Sequence, residues 1–467
     1  MQAINIIFTF PIIVILALSS AAMLLNLFWK KLDNVVWFSC AYLFALVFVI
    51  GGQYKVVDFA FGEQIFVDSF GLVINFIILL SALIVTMLSR GFDKKQGIRN
   101  NLDYHLLISY SVIGALVMAN ANNLLLLFVG FELLSVCVYV LAAIAKERRF
   151  SSEAGLKYFI LGAFSSAFLL FGIAFIYGAT GRLEITNLVS GTLYNNSMFV
   201  AGFLMLLFGF GFKLSLVPFH IWTADVYQGS PTTVTAFMAT LVKVAAVACF
   251  ARFIIIGMSD LLENWSHLIW ALSVLSMVIG NLLALNQTSV KRILAFSSIA
   301  HAGYAAIGFL CGSEGLQVTA FYMLAYSVMS LAAFAIVLFV TEDGDDSIEN
   351  FSGLGWSKPL WSFAMLIALL SLAGIPPLAG FIAKLVLFKK AIEHNFTSLA
   401  IIGAISSVIS LYYYLKIIVF MYFKETDREI NYSNPEFLSK AGLAFALFLV
   451  IFIGIFPSGF LGLVGAV

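Results

Sequence analysis

Charged side chains are scarce in this 467-residue chain: Asp, Glu, Lys and Arg make up 10% of it, whereas 62% of its residues are hydrophobic. Soluble domains have roughly 25% charged residues, so the composition excludes a soluble enzyme, a nucleic-acid-binding protein and a disordered scaffold. The 25 basic and 24 acidic residues nearly cancel, to a net charge of +1. The chain therefore has no overall electric field that would attract a charged partner.

Cysteine is also rare. Cys40, Cys137, Cys249 and Cys311 lie singly in apolar stretches, without the spacing typical of iron–sulfur ligands or of a disulfide framework. Glycine-rich loops for binding dinucleotides or phosphate are missing as well. The sequence therefore predicts that this chain holds no redox cofactor, metal or nucleotide of its own.

Long apolar runs dominate the chain, many of them about 18–25 residues long, which is the length that a helix needs to cross about 30 Å of hydrocarbon. They predict an all-α polytopic membrane protein with about fourteen transmembrane helices. The predicted helices cover residues 4–29, 34–50, 68–89, 103–120, 122–145, 155–180, 197–222, 231–256, 267–286, 291–312, 315–341, 357–388, 396–423 and 437–463. The first run has no basic segment before it and no small-residue cleavage site, so we expect a retained helix and not a signal peptide.

An even number of helices puts both termini on one side, and the basic residues indicate which side. If the termini are outside, fifteen basic residues fall on the cytoplasmic side and five on the outer side. The cytoplasmic set is Lys30, Lys31, Arg90, Lys94, Lys95, Arg99, Lys146, Arg148, Arg149, Lys291, Arg292, Lys358, Lys424, Arg428 and Lys440, and the outer set is Lys55, Arg182, Arg252, Lys389 and Lys390. Because loops rich in Lys and Arg stay in the cytoplasm, we predict a bacterial inner-membrane protein with periplasmic termini. An organellar energy-coupling membrane is the alternative.

Proline interrupts two of the predicted helices. Pro218 lies in the seventh helix, two residues before His220, and Pro376 and Pro377 lie in the twelfth. Proline lacks a backbone donor, so each break frees carbonyl groups at membrane depth, where they must face protein or a water-filled cavity. A proline kink in an ordinary packed helix is the alternative for each break taken alone.

The two breaks occupy matching places in the chain. Each lies in the fourth helix of a group of five, helices 4–8 and helices 9–13. A five-helix unit repeated in tandem inserts with opposite topology, because five is odd. Inverted repeats with paired broken helices are typical of transporters. We therefore predict two inverted repeats, residues 103–256 and 257–423, with N-terminal helices 1–3 in residues 1–102 and a C-terminal helix in residues 424–467.

Several titratable side chains lie inside the predicted helices, where a charge costs at least about 2.5–3.5 kcal/mol and usually marks an ion path. They include Glu132, Lys213, Lys243, His301 and Lys384. Burial and a nearby carboxylate change the proton affinity of an amine in opposite directions, so such groups can relay protons together with trapped water. We interpret the three lysines and the histidine as a lateral polar axis that Glu132 gates.

Each of these side chains also has a structural alternative. Glu132 and Lys213 could form an ion pair that only joins two helices, and His301 could only bond neighbouring helices. Lys157 and Lys416 lie near helix ends, where a lysine can extend its ammonium group to the membrane surface.

Residues 217–238 resemble the signature of the antiporter-like subunits of proton-pumping NADH–quinone oxidoreductase. Their Trp-Thr-x-Asp-Val-Tyr-x-Gly and Thr-Ala-Phe-Met elements are similar to the N subunit family, called subunit 2 in mitochondria and plastids. The larger L and M subunits typically have Trp-Leu-Pro-x-Ala-His there. Residues 297–304 and 374–384 resemble helices ten and twelve of the same family. Ala224 and Thr233 depart from the pattern, because the family usually has proline at both positions.

The resemblance implies a role for individual residues: the family's glutamate of helix five falls on Glu132, and its lysines of helices six, seven, eight and twelve fall on Lys157, Lys213, Lys243 and Lys384. It implies a membrane-arm subunit that helps to translocate protons while other membrane and peripheral subunits oxidise NADH and reduce quinone. FMN, iron–sulfur clusters and quinone are expected in those partners. The alternatives are a subunit of a multisubunit cation/proton antiporter, a subunit of a membrane-bound hydrogenase complex, and a structural spacer.

Overall fold

The computed structural model describes residues 6–28, 33–52, 57–92, 95–98, 101–188, 193, 196–341, 345–425, 432 and 434–464. Six basic residues used in the orientation prediction lie outside these described residues: Lys30, Lys31, Lys55, Lys94, Arg99 and Arg428. The architecture that follows is that of the described part of the chain.

The chain folds almost entirely into helices. They are α1 (Ile6–Phe28), α2 (Asn34–Gly52), α3 (Ser69–Ser89), α4 (Asn101–Asn120), α5 (Leu124–Ala142), α6 (Arg149–Thr180), α7 (Ser197–Leu214), α8 (Ile221–Gly229), α9 (Thr232–Phe237), α10 (Lys243–Arg252), α11 (Leu262–Leu285), α12 (Val290–Gly308), α13 (Glu314–Val340), α14 (Leu354–Ser357), α15 (Pro359–Ala373), α16 (Ala379–Glu393), α17 (Thr397–Phe423), α18 (Phe437–Ile455) and α19 (Pro457–Val464). Two π-helical segments, Met238–Val242 and Phe253–Gly257, continue α9 and α10. One antiparallel hairpin, β1 (Asp58–Ala60) with β2 (Ile65–Val67), precedes α3.

The helices confirm the predicted polytopic architecture. In the described residues, eleven helices are long and apolar enough to cross a membrane, with residues 232–257 counted as one of them. The shorter α2, the more polar α12 and the α15–α16 pair complete a series of fourteen crossings, the predicted number. The seventh crossing is the broken pair α7–α8, and the twelfth is the broken pair α15–α16.

Several predicted boundaries are wrong. The sixth crossing begins at Arg149, not at residue 155, because a helix tolerates the polar first turn that a search for apolar runs leaves out. The twelfth extends to Glu393 for the same reason. The last crossing ends at Ile455, and Pro457 begins the separate helix α19, since proline fits the first turn of a helix but not its interior.

Arg252, counted among the outer basic residues, lies near the end of the predicted helix 231–256 and is buried there. Its side chain is 1% exposed and lies inside the eighth crossing, which continues to Gly257. Its guanidinium donates two hydrogen bonds to the Asp68 carboxylate, at 2.7 and 3.2 Å. That carboxylate also caps α3 by accepting the backbone N–H of Gly71 at 2.8 Å. The buried positive charge is therefore paired with a buried carboxylate, which is what allows it to lie inside a helix.

The centre of the bundle is formed by α3, the eighth crossing and α13. In their apolar membrane-crossing segments, 89%, 94% and 100% of the residues are buried. In outer helices such as α6 and α17 only 39% are buried, so the remaining apolar surface of these helices faces the bilayer. Side chains on the eighth crossing, including Lys243, are thus held well away from lipid.

Glycines bring the backbones of neighbouring helices together at matching places in the two repeats. A Cβ atom on Gly130 of α5 would lie 2.7 Å from the backbone nitrogen of Met118 in α4. A Cβ atom on Gly303 of α12 would likewise lie 2.8 Å from the carbonyl oxygen of Ser273 in α11. The first two crossings of both repeats therefore pack backbone against backbone, as expected for units of common design.

Candidate functional site

The first break in the bundle separates α7 from α8. The chain leaves α7 at Ser215, which has a left-handed conformation (φ 61°), and the Leu216 N–H reaches back to the Gly211 carbonyl at 2.9 Å. The Phe212 carbonyl accepts the Ser215 N–H at 3.0 Å and the indole N–H of Trp222 at 3.1 Å. The break that Pro218 predicts is therefore present, and a neutral side chain bonds a carbonyl beside it.

The second break has the same backbone geometry. Gly374 (φ 91°) takes the place of Ser215, and the Ile375 N–H bonds the Leu370 carbonyl at 3.0 Å. Each break contains a cis peptide bond before proline, at Pro218 and at Pro377. The predicted pair of broken helices is thus observed, in corresponding crossings.

Lys384 satisfies the carbonyls that the second break frees. Its side chain is buried, and its ammonium group donates to the carbonyl oxygens of Leu372 and Ala373 at 2.9 and 3.1 Å and to the Ser407 hydroxyl at 2.8 Å. The ammonium also lies 5.0 Å from the centre of the Tyr304 ring. A cation is therefore held at membrane depth by carbonyl and hydroxyl oxygens.

Lys213 is buried near the first break, in the last turn of α7. Its ammonium donates to the Ser135 hydroxyl of α5 at 2.8 Å. The rings of Phe131, Tyr158 and Tyr139 surround it, with centres 5.0, 5.5 and 5.7 Å from the nitrogen. Aromatic faces attract a cation, so this chamber can accommodate a charged lysine.

Glu132 lies three residues before Ser135, on the same side of α5. One of its carboxylate oxygens is buried without a hydrogen-bond partner among the described residues. Within this part of the chain, no carboxylate oxygen of Glu132 comes within 4.0 Å of the Lys213 ammonium. Glu132 of α5 and Lys213 of α7 therefore form no direct ion pair in this structure.

Lys243 and His301 are joined through α12. The Lys243 ammonium donates to the Ser298 carbonyl at 2.7 Å and to the Ser298 hydroxyl at 2.9 Å. One turn further along α12, the His301 Nδ1 atom shares a hydrogen bond of 2.7 Å with the Tyr322 hydroxyl, and its Nε2 atom lies 3.4 Å from the Tyr414 hydroxyl. The structure thus brings these two predicted residues into one buried polar network.

Three polar side chains of α12 lie between Lys243 and Lys384. Ser298 bonds Lys243, His301 follows three residues later, and Tyr304 after three more. The His301 and Tyr304 rings have centres 5.7 Å apart, and Tyr304 contacts Lys384 through its ring face. Spacing of three keeps the side chains on one helix face, so α12 forms a polar row between the two lysines.

Lys157 and Lys416 lie outside this row. Lys157 is 43% exposed and forms ion pairs with Glu153 at 2.8 Å and Asp225 at 3.1 Å. Asp225 also pairs with Arg292 of the second repeat, at 2.8 Å. The ammonium of Lys416 donates to the backbone carbonyl of Gln287, just beyond the end of α11, at 2.9 Å.

His220 also lies outside the polar row of α12. It lies at the start of α8, and its Nδ1 atom is buried without a hydrogen-bond partner in the part of the chain that the structure describes.

A half-open cavity of about 830 Å³ lies where α8 ends. Its lining includes Arg149, Glu153, Lys157, Asp225, Lys291 and Asp346. Lys291, predicted at the cytoplasmic start of the tenth helix, is buried there, and its ammonium donates to the carbonyls of Gln228 and Ser230 at 3.0 and 2.8 Å. The polar lining makes this cavity an aqueous recess in one face of the bundle.

Sequence reasoning missed several polar residues of the site. Ser135 and Ser298, which bind the ammonium groups of Lys213 and Lys243, are small and common residues that give no signal of their own. Their spacing of three from Glu132 and His301 is the signal that could have identified them. Asp225 lies inside the motif of residues 217–238, but the motif alone did not indicate a role for it.

The chain is similar along nearly its whole length to known membrane subunits. The family model described as NADH:quinone oxidoreductase/Mrp antiporter, transmembrane, matches residues 121–410. Subunit N of NADH-quinone oxidoreductase from Trichlorobacter lovleyi is 38% identical over 93% of this chain and 91% of its own length. The subunit N of Pelagibacter ubique is 42% identical over 78% of each chain.

Solved structures share the fold. A chain in the structure of respiratory complex I from Thermus thermophilus with bound aureothin is 34% identical, with a TM-score of 0.85, covering 98% of this chain and 99% of that one. A chain of the archaeal membrane-bound sulfane sulfur reductase is 26% identical, with a TM-score of 0.83, over 100% of this chain and 97% of that one. A chain of the Mrp complex from Dietzia sp. has a TM-score of 0.82 with the same coverage, but its 21% identity shows the fold alone.

Proposed function

This chain belongs to the NADH-quinone oxidoreductase subunit N family, and we propose on that premise that its buried lysines carry protons across the membrane. The energy comes from NADH oxidation and quinone reduction in other subunits. The observation that carries the proposal is the polar row of α12, which joins two buried ammonium groups through Ser298, His301 and Tyr304. An inert bundle has no need of such a row, since each buried charge is costly.

The contacts support a relay in which protons pass between neighbouring groups. Lysine and histidine each bind and release a proton, and serine and tyrosine hydroxyls both donate and accept hydrogen bonds. Lys213, Lys243, His301 and Lys384 form the axis, and the aqueous recess next to Lys157 and Asp225 supplies protons from one face. Water in the bundle completes the connections.

Glu132 acts as the gate of this axis. Its buried and unbonded carboxylate oxygen lies one helix turn from Ser135, to which Lys213 is bonded. A small rotation of α5 or of the side chain would bring carboxylate and ammonium together. At about 4 Å and an effective dielectric constant of about 20, such a pair interacts by about 4 kcal/mol. That free energy is enough to decide whether the lysine holds its proton.

The chemistry of electron transfer belongs to partner subunits. The other membrane and peripheral subunits of the complex hold FMN, iron–sulfur clusters and quinone, and this chain supplies proton translocation without a bond-making catalytic residue. We place the chain in a bacterial inner membrane with both termini on the periplasmic side. The basic residues that the structure describes between α5 and α6, Lys146 and Arg148, support this orientation under the positive-inside rule.

Replacement of Lys213 by alanine tests the proposal. In the purified complex reconstituted into vesicles, we expect Lys213→Ala to lower the number of protons translocated per NADH oxidised, because the first chamber loses its proton-binding group. Lys389→Ala is the matched control, since Lys389 is 73% exposed, and it should retain the wild-type ratio. A wild-type ratio in an assembled Lys213→Ala complex would show that the axis does not carry protons.

Co-purification distinguishes the proposed complex from the related ones. A tagged chain extracted in mild detergent should bring with it flavin and iron–sulfur proteins that have NADH–quinone reductase activity. Recovery with small membrane subunits only, and no redox centre, would instead identify a subunit of a cation/proton antiporter. Recovery with hydrogenase subunits would identify a subunit of a membrane-bound hydrogenase complex.

A further inference from the structure

The polar axis has a gap between the Lys213 chamber and the Lys243 network. On one side, Lys213 contacts the ring of Tyr158. On the other side, Lys243 is bonded to Ser298. No hydrogen bond between described residues joins these two groups directly. A proton that moves along the axis must therefore cross a further polar group or water at this point.

Tyr227 of α8 occupies this gap. Its side chain is fully buried, and Trp222, against which its ring packs, stacks on Tyr158 of the Lys213 chamber with ring centres 4.4 Å apart. On the other side, α8 packs against α12, which carries Ser298. Tyr227 thus lies between the two clusters. Two contacts fix its position, because the Tyr227 carbonyl accepts the Thr235 hydroxyl at 2.7 Å and the ring packs edge-on against Trp222 with centres 6.1 Å apart.

The hydroxyl of Tyr227 is buried without a regular hydrogen bond to any described residue. Phenylalanine would fill the same space without the cost of burying an unpaired polar group. An ordered water molecule is the usual partner of such a group. A buried hydroxyl in a gap between two proton-binding sites is therefore best explained by water on each side of it.

We propose that Tyr227 is a relay residue that passes protons between the Lys213 chamber and the Lys243 network. The phenol oxygen accepts a proton from water on one side through a lone pair, while its own O–H proton leaves to water on the other side. Rotation of the hydroxyl then restores the starting state, so no net charge remains on the side chain. This inference rests on the proposed function and identifies a side chain on which proton transfer between Lys213 and Lys243 depends.

Tyr227→Phe tests the relay, because it removes one oxygen atom and keeps the ring. In vesicles containing the assembled complex, we expect Tyr227→Phe to lose as many translocated protons per NADH as Lys213→Ala does, within a factor of two. Tyr227→His, which again both accepts and donates a proton, should restore part of the loss. The solvent deuterium isotope effect on the remaining transport should increase, since a merely structural defect would not slow the proton-transfer step.

Tyr42→Phe is the matched control. Tyr42 is equally buried, and its hydroxyl shares a 2.8 Å hydrogen bond with Ser109, away from the axis. This variant loses a real bond but should translocate protons normally. If Tyr227→Phe keeps the wild-type ratio while Lys213→Ala loses it, the relay role is wrong and the proposed function stands. If Lys213→Ala also keeps the ratio, the proposed function itself fails. Failure of both Tyr227 variants to assemble would assign the hydroxyl a structural role and overturn the relay.

Discussion

At the scale of single residues, the buried pair of Arg252 and Asp68 carries a large stability prediction. Both side chains are at least nine-tenths buried, and two hydrogen bonds join them. Arg252→Met leaves a carboxylate buried without its partner, so we expect the free energy of unfolding to fall by about 3–5 kcal/mol. Denaturant titration of the purified protein in detergent measures the change.

Glu436→Gln is the comparison for that experiment. Glu436 accepts from Arg90 at 2.7 Å, but its side chain is 52% exposed. Water screens such a pair, so the variant should change the free energy of unfolding by at most about 1 kcal/mol. Equal losses in the two variants would mean that burial does not determine the strength of these ion pairs.

The sequence predicts whether a side chain is buried better than it predicts which group that side chain contacts. Lys213, Lys243, His301 and Lys384 are predicted inside apolar helices, and all four are buried. Their partners are not predictable, because a helix that is apolar on every side does not reveal which face points inward. The Lys213 ammonium therefore bonds a serine of α5 instead of the expected glutamate.

At the scale of helices, the breaks could be predicted because proline cannot continue the backbone hydrogen bonds. Lys157 shows the limit of the same approach. The family resemblance implies a role in translocation for Lys157. The hydropathy pattern placed the start of α6 six residues too late, and therefore placed Lys157 too close to the helix end. Lys157 lies in the third turn of the real helix, near the membrane surface, where Glu153 and Asp225 neutralise it.

The close packing of α4 against α5 gives a prediction for a whole helix. Gly130→Ala puts a methyl group 2.7 Å from a backbone nitrogen of α4, so the two helices must separate, at a cost of about 1–3 kcal/mol. Because α5 also carries Ser135, the shift should weaken its bond to Lys213 and lower proton translocation. Thermal unfolding and vesicle assays of the purified complex measure both effects.

Gly459→Ala controls for the change of residue type. A methyl group there meets nothing within 4 Å, and alanine favours a helix over glycine by about 1 kcal/mol. The control should therefore be neutral or slightly stabilising, with normal translocation. If Gly130→Ala behaved in the same way, α5 would have room to move that its contacts with α4 do not indicate.

At the scale of the whole molecule, the two repeats share a backbone but differ in charge at equivalent positions. Ten residues after the left-handed break residue, the first repeat has Asp225 and the second has Lys384. An ammonium can bond freed carbonyls, and Lys384 does so. A carboxylate cannot, so Asp225 instead pairs with Lys157 and Arg292 beside the aqueous recess. We infer that these two equivalent positions serve different tasks, a buried proton-binding site in the second repeat and part of an entrance in the first.

The orientation that we propose from the basic residues gives the last prediction. With periplasmic termini, the end of α5 near Lys146 faces the cytoplasm and the turn after α6 at Arg182 faces the periplasm. Both side chains are exposed, so a cysteine at either position can react with a membrane-impermeant maleimide. Arg182→Cys should be labelled in intact cells stripped of their outer membrane, and Lys146→Cys only in inverted vesicles. The two positions lie at opposite ends of one helix, so each is the control for the other. The reverse labelling pattern would place the aqueous recess at the periplasmic face, and protons would then enter the axis from the opposite side.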